Sequence, residues 1–120
     1  MKYMLLMYAD ESKTPNSTPE EHQAAAQAWY AFGQEAAAAG VLLSNNGLCS
    51  VTDATTVRVR EGKTLSADGP FAETHEQLGG YYLLDCKDLD EAIRWAAKIP
   101  LAQYGTIEVR PLNQWSQKSS

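Results

Sequence analysis

The apolar residues of "YMLLMYA" (3–9) occupy odd and even positions alike, the mark of a strand covered on both faces. "GGYYLLDC" (79–86) repeats the pattern. Between them "TTVRVREGKTLSAD" (55–68) alternates, with Val57 and Val59 facing one way and Arg58 and Arg60 the other, and predicts a hairpin turning at Glu61 and Gly62. "VLLS" reads as another strand with "NNG" as a turn or bulge after it, and "GTIEVRPL" as the last strand. Two segments carry helical spacing instead. The first, about residues 19 to 39, starts on Thr18 as cap with Pro19, Glu20 and Glu21 in its first turn. Its stripe is Ala25, Ala28, Phe32, Ala36 and Ala39, and Gly40 ends it. The second, "DLDEAIRWAAKIP", is capped by Asp88 with Glu91 three places on, has Leu89, Ala92, Ile93 and Ala96 as its stripe, and stops at Pro100.

This order predicts an α+β fold, a ferredoxin-like sandwich with an antiparallel sheet, two helices on one face and an extra β-hairpin. It forms one domain over residues 1–112, with a frayed polar tail at 113–120. Two helices cover only one face of a sheet, yet the double-faced strands place apolar side chains on the other. Monomers rarely leave so large an apolar patch wet. The pattern therefore predicts a homodimer, sheet against sheet, with a cleft inside.

Length and composition fit this picture. A chain of 120 residues, 44% hydrophobic and 21% charged, has enough core to fold without staples. A formal net charge of −5 and no basic stripe argue against nucleic-acid binding. The apolar start is too short for a signal peptide and no membrane-spanning run follows, which points to the cytoplasm. Cys49 and Cys86 follow no ligand spacing and read as reduced, small apolar residues.

Candidate chemistry concentrates in "DGPFAETHEQLGGYYLLD" (68–85). Gly69 and Pro70 predict a stiff corner, and Thr74 with Gln77 a capping box for one helical turn that Gly79 stops. Corner, cap, turn and strand explain most of the loop. What remains is Asp68 and His75 on a rigid loop, a carboxylate–imidazole pair suited to removing a proton from an acidic carbon or a phenol. Arg58 or Arg60 is placed to hold an anionic group, against a plain solvated strand face, and Tyr82 is the aromatic candidate for substrate contact. His22 lies among helix glutamates and reads as exposed. Glu73, His75 and Glu76 match no metal-ligand spacing, so no metal is expected. The chain has no phosphate loop, nucleophile elbow or cysteine–histidine pair, and no cofactor is expected.

"MKYMLLMYADE", "TTVRVREGKTL", "DGPFAETHEQLGGYYLLD", "DLDEAIRWAAKIP" and "IEVRPL" together resemble the DGPF-domain branch of the YCII-related proteins, over nearly the whole chain. The resemblance implies a dimeric α+β barrel. It also implies the histidine–aspartate chemistry proposed in the wider family, where one distant member eliminates chloride from a hydroxylated aromatic. Only Asp68 rests on the shared motif. His75 stands where relatives commonly carry lysine, and Trp29 near where many carry a histidine. The first reading is thus a homodimer whose cleft takes a small polar or aromatic molecule, with cofactor-independent lyase-type acid–base activity. The alternative is a non-catalytic accessory protein beside an extracytoplasmic-function sigma factor, as the gene neighbourhoods of some relatives imply.

Overall fold

The computed structural model describes residues 1–13 and 18–117. The middle of the loop before the first helix (14–17) and the end of the tail (118–120) lie outside the described residues. Six strands and two main helices follow in the order β1 (Lys2–Ala9), α1 (Pro19–Ala38), β2 (Leu42–Gly47), β3 (Thr55–Arg60), β4 (Lys63–Asp68), β5 (Gln77–Asp85), α2 (Leu89–Lys98) and β6 (Thr106–Pro111). Four of the strands make an antiparallel sheet ordered β2-β5-β1-β6, and β3 with β4 forms a separate two-stranded hairpin. This is the ferredoxin-like α+β arrangement with an added hairpin.

Both double-faced strands take central places, as their patterning requires. On one face Tyr3, Leu5 and Met7 of β1 and Tyr82 and Leu84 of β5 pack under the helices. Phe32 and Ala36 descend from α1 and Ala92, Trp95 and Ala96 from α2 into the same core, closed by Ile99. Phe32 sets its edge against Tyr82 (centroids 4.9 Å apart) and Trp95 (6.1 Å), a favourable ring geometry. No charged or polar side chain is buried among the described residues.

The helix stripes differ from those expected. In α2 the buried row is Ala92, Trp95, Ala96 and Ile99, while Leu89 and Ile93 are each 49% exposed. Both rows have helical spacing, and the large Trp95 ring, with most apolar area to remove from water, decides the rotation. In α1 everything from Pro19 to Ala28 is exposed, as is Ala39, and only Phe32 and Ala36 are fully buried. The first half of this 20-residue helix, about 15 Å long, therefore finds no burying partner within the chain.

Local signals hold well elsewhere. Glu21 N–H donates to Thr18 Oγ1 (3.1 Å) and Glu91 N–H to Asp88 Oδ1 (2.9 Å), the two caps. The Glu91 carboxylate accepts from Lys87 N–H (2.7 Å), one residue before the cap. Glu61 (φ 51°) and Gly62 (φ 75°) form the hairpin turn, whose left-handed angles match the twist of the strands. The start of the tail is not frayed: Gln114–Gln117 forms a helical turn, α3, and Gln117 accepts from Lys2 N–H (3.0 Å) and donates to Leu112 O (2.7 Å).

The molecule is flat, 49 × 44 × 18 Å, with a radius of gyration of 16.6 Å. A compact chain of this length has about 14 Å.

Candidate functional site

At the end of the sheet where β2 finishes and β5 begins, the chain encloses a cleft of about 260 Å³. Its wall is aromatic: Trp29 of α1 lies parallel to Tyr82 of β5, centroids 6.3 Å apart and planes within 8°. Met7 and Leu101 complete the apolar lining, and Asn45, Asn46, Tyr81 and the glycines Gly47 and Gly79 supply the polar edge. Asn46 Nδ2 donates to Tyr81 Oη (2.9 Å). None of the lining side chains is a carboxylate, histidine, lysine or arginine.

The strands form this cleft because of what they lack. "NNG" is no turn but the last half of β2, paired to β5 through Asn45–Tyr82, Asn46–Tyr81 and Gly47–Gly80. A Cβ on Gly80 would sit 2.6 Å from Asn46 O and 2.9 Å from Met7 Cε, so only glycine lets the strands approach here. Register places Tyr81 and Asn46 on the outer face of the sheet, and Tyr82 and Met7 on the helix face. The cleft therefore draws on both faces. Burial pushes the Tyr82 hydroxyl above its ordinary pKa, which keeps it a neutral phenol at physiological pH.

The residues of the 68–77 segment do not line the cleft. Asp68 ends β4, is exposed, and has no side-chain hydrogen bond among the described residues. Gly69 (φ 94°) makes the expected corner, its N–H on Ala54 O (2.7 Å) and its carbonyl taking the Thr56 hydroxyl (2.8 Å). The expected helical turn at 74–77 does not form. Thr74 Oγ1 donates to Glu76 O (2.5 Å) and Gln77 Nε2 to Thr74 O (2.6 Å), and Gln77 already begins β5, so Gly79 is a strand residue. Pairing with β1 outweighs a one-turn helix, whose nucleation is unfavourable.

His75 is exposed, and the carboxylate that feels its charge is Asp10. The Ser12 hydroxyl and amide, then Lys13 and His75, hold the Asp10 carboxyl below its usual range. Around it the loops are laced together. Ser50 Oγ donates to Glu11 Oε1 (2.6 Å), Glu11 N–H to Gln77 Oε1 (2.9 Å), and Thr106 Oγ1 to Glu76 Oε1 (2.7 Å). Arg58 and Arg60 lie on the exposed hairpin and do not line the cleft, and the Arg60 guanidinium donates to Val59 O (3.0 Å). Tyr82 is the one sequence-selected residue that lines it.

Trp29, Asn45 and Asn46 were not among the residues singled out for binding. The available signal was a tryptophan in an alanine-rich helix and a polar run closing an apolar strand. Among the described residues no three histidine, cysteine or acidic side chains gather to hold a metal ion, and no helix is long and apolar enough to cross a membrane.

Comparison with known proteins agrees with this architecture. An uncharacterised protein of Rhizobium meliloti (strain 1021) is 42% identical over 114 residues, covering 93% of this chain and 92% of its own. The model of the YCII-related domain matches residues 1–116. With nearly its whole length matched in both comparisons, the chain belongs to the YCII-related domain family.

Proposed function

We propose that the protein is a homodimer that binds a small, planar, uncharged molecule in the Trp29–Tyr82 cleft. The observation that carries the ligand class is the lining: a wall of two mutually stacked aromatic rings, amides at the rim, and no ionic side chain. Such a site favours an aromatic ring bearing an amide or hydroxyl over an anion, whose charge would lose hydration without a partner.

Shape and surface support the second copy. The chain exposes 8587 Å², whereas a compact 13.2 kDa monomer exposes about 6,400 Å². The excess is larger than the roughly 800 Å² that each partner of a standard interface hides. The outer face of the sheet has the composition of an interface. Register lines up Leu83, Met4 and Arg110 in one row and Asn46, Tyr81, Leu6 and Glu108 in the next, apolar in the centre and polar at the rim. Because Tyr81 and Asn46 belong to that face, a second sheet on it would cover the mouth of the cleft.

The test is chemical-shift mapping with benzamide and with benzoate. Benzamide is expected to move the signals of Asn45, Asn46 and Tyr82, with binding weakened about tenfold or more in Trp29→Ala. Benzoate binding as tightly as benzamide, or shifts confined to another surface, would refute the assignment.

Lyase-type chemistry by Asp68 and His75 is a second reading, favoured by the exposure of both side chains, Asp68 beside the Gly69 corner and His75 just before β5. Since no carboxylate or imidazole lines the cleft, carboxylate–imidazole proton transfer there needs one of them delivered by the other copy. Asp68→Asn and His75→Gln separate the readings: ligand binding persists in both under the first, whereas elimination from a halogenated phenol is abolished under the second.

A further inference from the structure

The hairpin β3–β4 is poorly explained by the single chain. None of its strand residues is fully buried, and Val57 (60% exposed), Val59 (59%) and Leu65 (51%) stand in water. The hydrogen bonds at its base, Gly69 to Ala54 and Thr56 to Gly69, close the hairpin on itself rather than tie it to the sheet. An isolated two-stranded hairpin is marginally stable at best, and one with apolar side chains on both faces also invites aggregation. Register puts Val57 and Val59 with Ser66 and Thr64 on one face, and Arg58 and Arg60 with Leu65 and Lys63 on the other. Each face thus has something to bury or to pair.

We infer that the hairpin is a clasping arm that lies on the body of the second copy, an inference resting on the homodimer of the preceding section. Two observations select that occupant. The surface in excess of a compact monomer is more than the central sheet patch alone needs to reach a standard interface, and the hairpin supplies exposed apolar area beyond that patch. The arm is also basic on a chain of net charge −5: Arg58, Arg60 and Lys63 outnumber Glu61 and Asp68. The acidic groups Asp10, Glu11, Glu73 and Glu76 gather in the loops at the sheet end from which the hairpin springs. Opposite charge of this kind orients two copies and sets register more than it adds affinity.

The experiment combines sedimentation equilibrium with amide hydrogen exchange on the full chain. In wild type, amides of Val57, Val59 and Leu65 are expected to exchange more slowly in concentrated dimer than on dilution. The variant V57T/V59T/L65T keeps strand-forming residues and should retain the helical circular dichroism of wild type. Its dimer dissociation constant is expected to rise about tenfold or more. Arg58→Glu with Arg60→Glu should raise it too, and adding salt should narrow that gap. A dimer with an unchanged constant in the variant, and hairpin amides exchanging equally at both concentrations, overturns the arm and leaves the homodimer standing. A wild-type monomer at all concentrations overturns both.

Discussion

The four-stranded sheet and the β3–β4 hairpin are both antiparallel β-structure with good local signals, yet they differ in what holds them. β1 and β5 are flanked on both sides by strands and covered by two helices, and Leu5 and Leu84 are wholly removed from water. The hairpin has a favourable turn and full register but no packed face of its own. Pattern and turn chemistry suffice to form an element, and only burial anchors it. What looks superfluous in one chain has a use in the proposed homodimer, where a second copy supplies the missing surface.

The contrast can be broken most forcefully in the core. Leu84→Ala is expected to lower unfolding free energy by about 2–5 kcal/mol. Val59→Ala should change the stability of the dilute single chain by less than about 0.5 kcal/mol. Urea titrations of both variants check this, and equal losses would mean the hairpin is part of the core. Gly80→Ala comes next, at about 1–3 kcal/mol, because the added methyl forces β2 or Met7 to shift. It should also perturb benzamide binding, which Leu84→Ala leaves comparatively intact.

Helix caps sharpen the same point on a smaller scale. Asp88→Ala should cost about 1 kcal/mol, since α2 is anchored immediately beyond its cap. Thr18→Ala removes an equivalent bond from a helix whose first turns are exposed, so it should fray those turns and leave the midpoint of global unfolding nearly unchanged. Hydrogen exchange in α1 distinguishes the two outcomes.

The two thiols give a comparison in pH. Cys49 is exposed and should label quickly, whereas Cys86 is buried, and burial first, then Glu91 and Asp85, pushes its thiol up to about 11. Because the folded state holds that proton more tightly than the unfolded one, its contribution to stability is complete below about pH 9 and is lost as pH rises from there to about 11. Cys86→Ala should flatten this alkaline loss, and Cys49→Ala should not. Asp10 works in the opposite direction and more weakly: its lowered pKa stabilises above the ordinary carboxylate range, and that contribution fades as acid protonates it.

The fold was legible because its decisive signals are local or periodic. Double-faced apolar runs named the central strands, Thr18 and Asp88 named the helix starts, and Glu61–Gly62 named the hairpin. The misreadings share a cause, tertiary context overriding a local motif. Asn45–Gly47 has turn composition but is held extended by β5, and Thr74–Gln77 has a cap pattern but is drawn into β5 by β1. In α2 two stripes were equally regular, and the volume of Trp95 chose between them. The cleft was least legible. It arises where Trp29, from one helix, meets a glycine pair and an asparagine pair from two strands, and no single window contains that meeting.

In the proposed homodimer this flat, half-covered sheet packs against its copy. Light-scattering mass at about 100 µM, where a stable complex is saturated, tests it most directly. The expected mass is twice the 13.2 kDa of the chain, falling toward a single chain when Leu6 and Leu83 are both changed to glutamate. A wild-type mass of 13.2 kDa under the same conditions would contradict it.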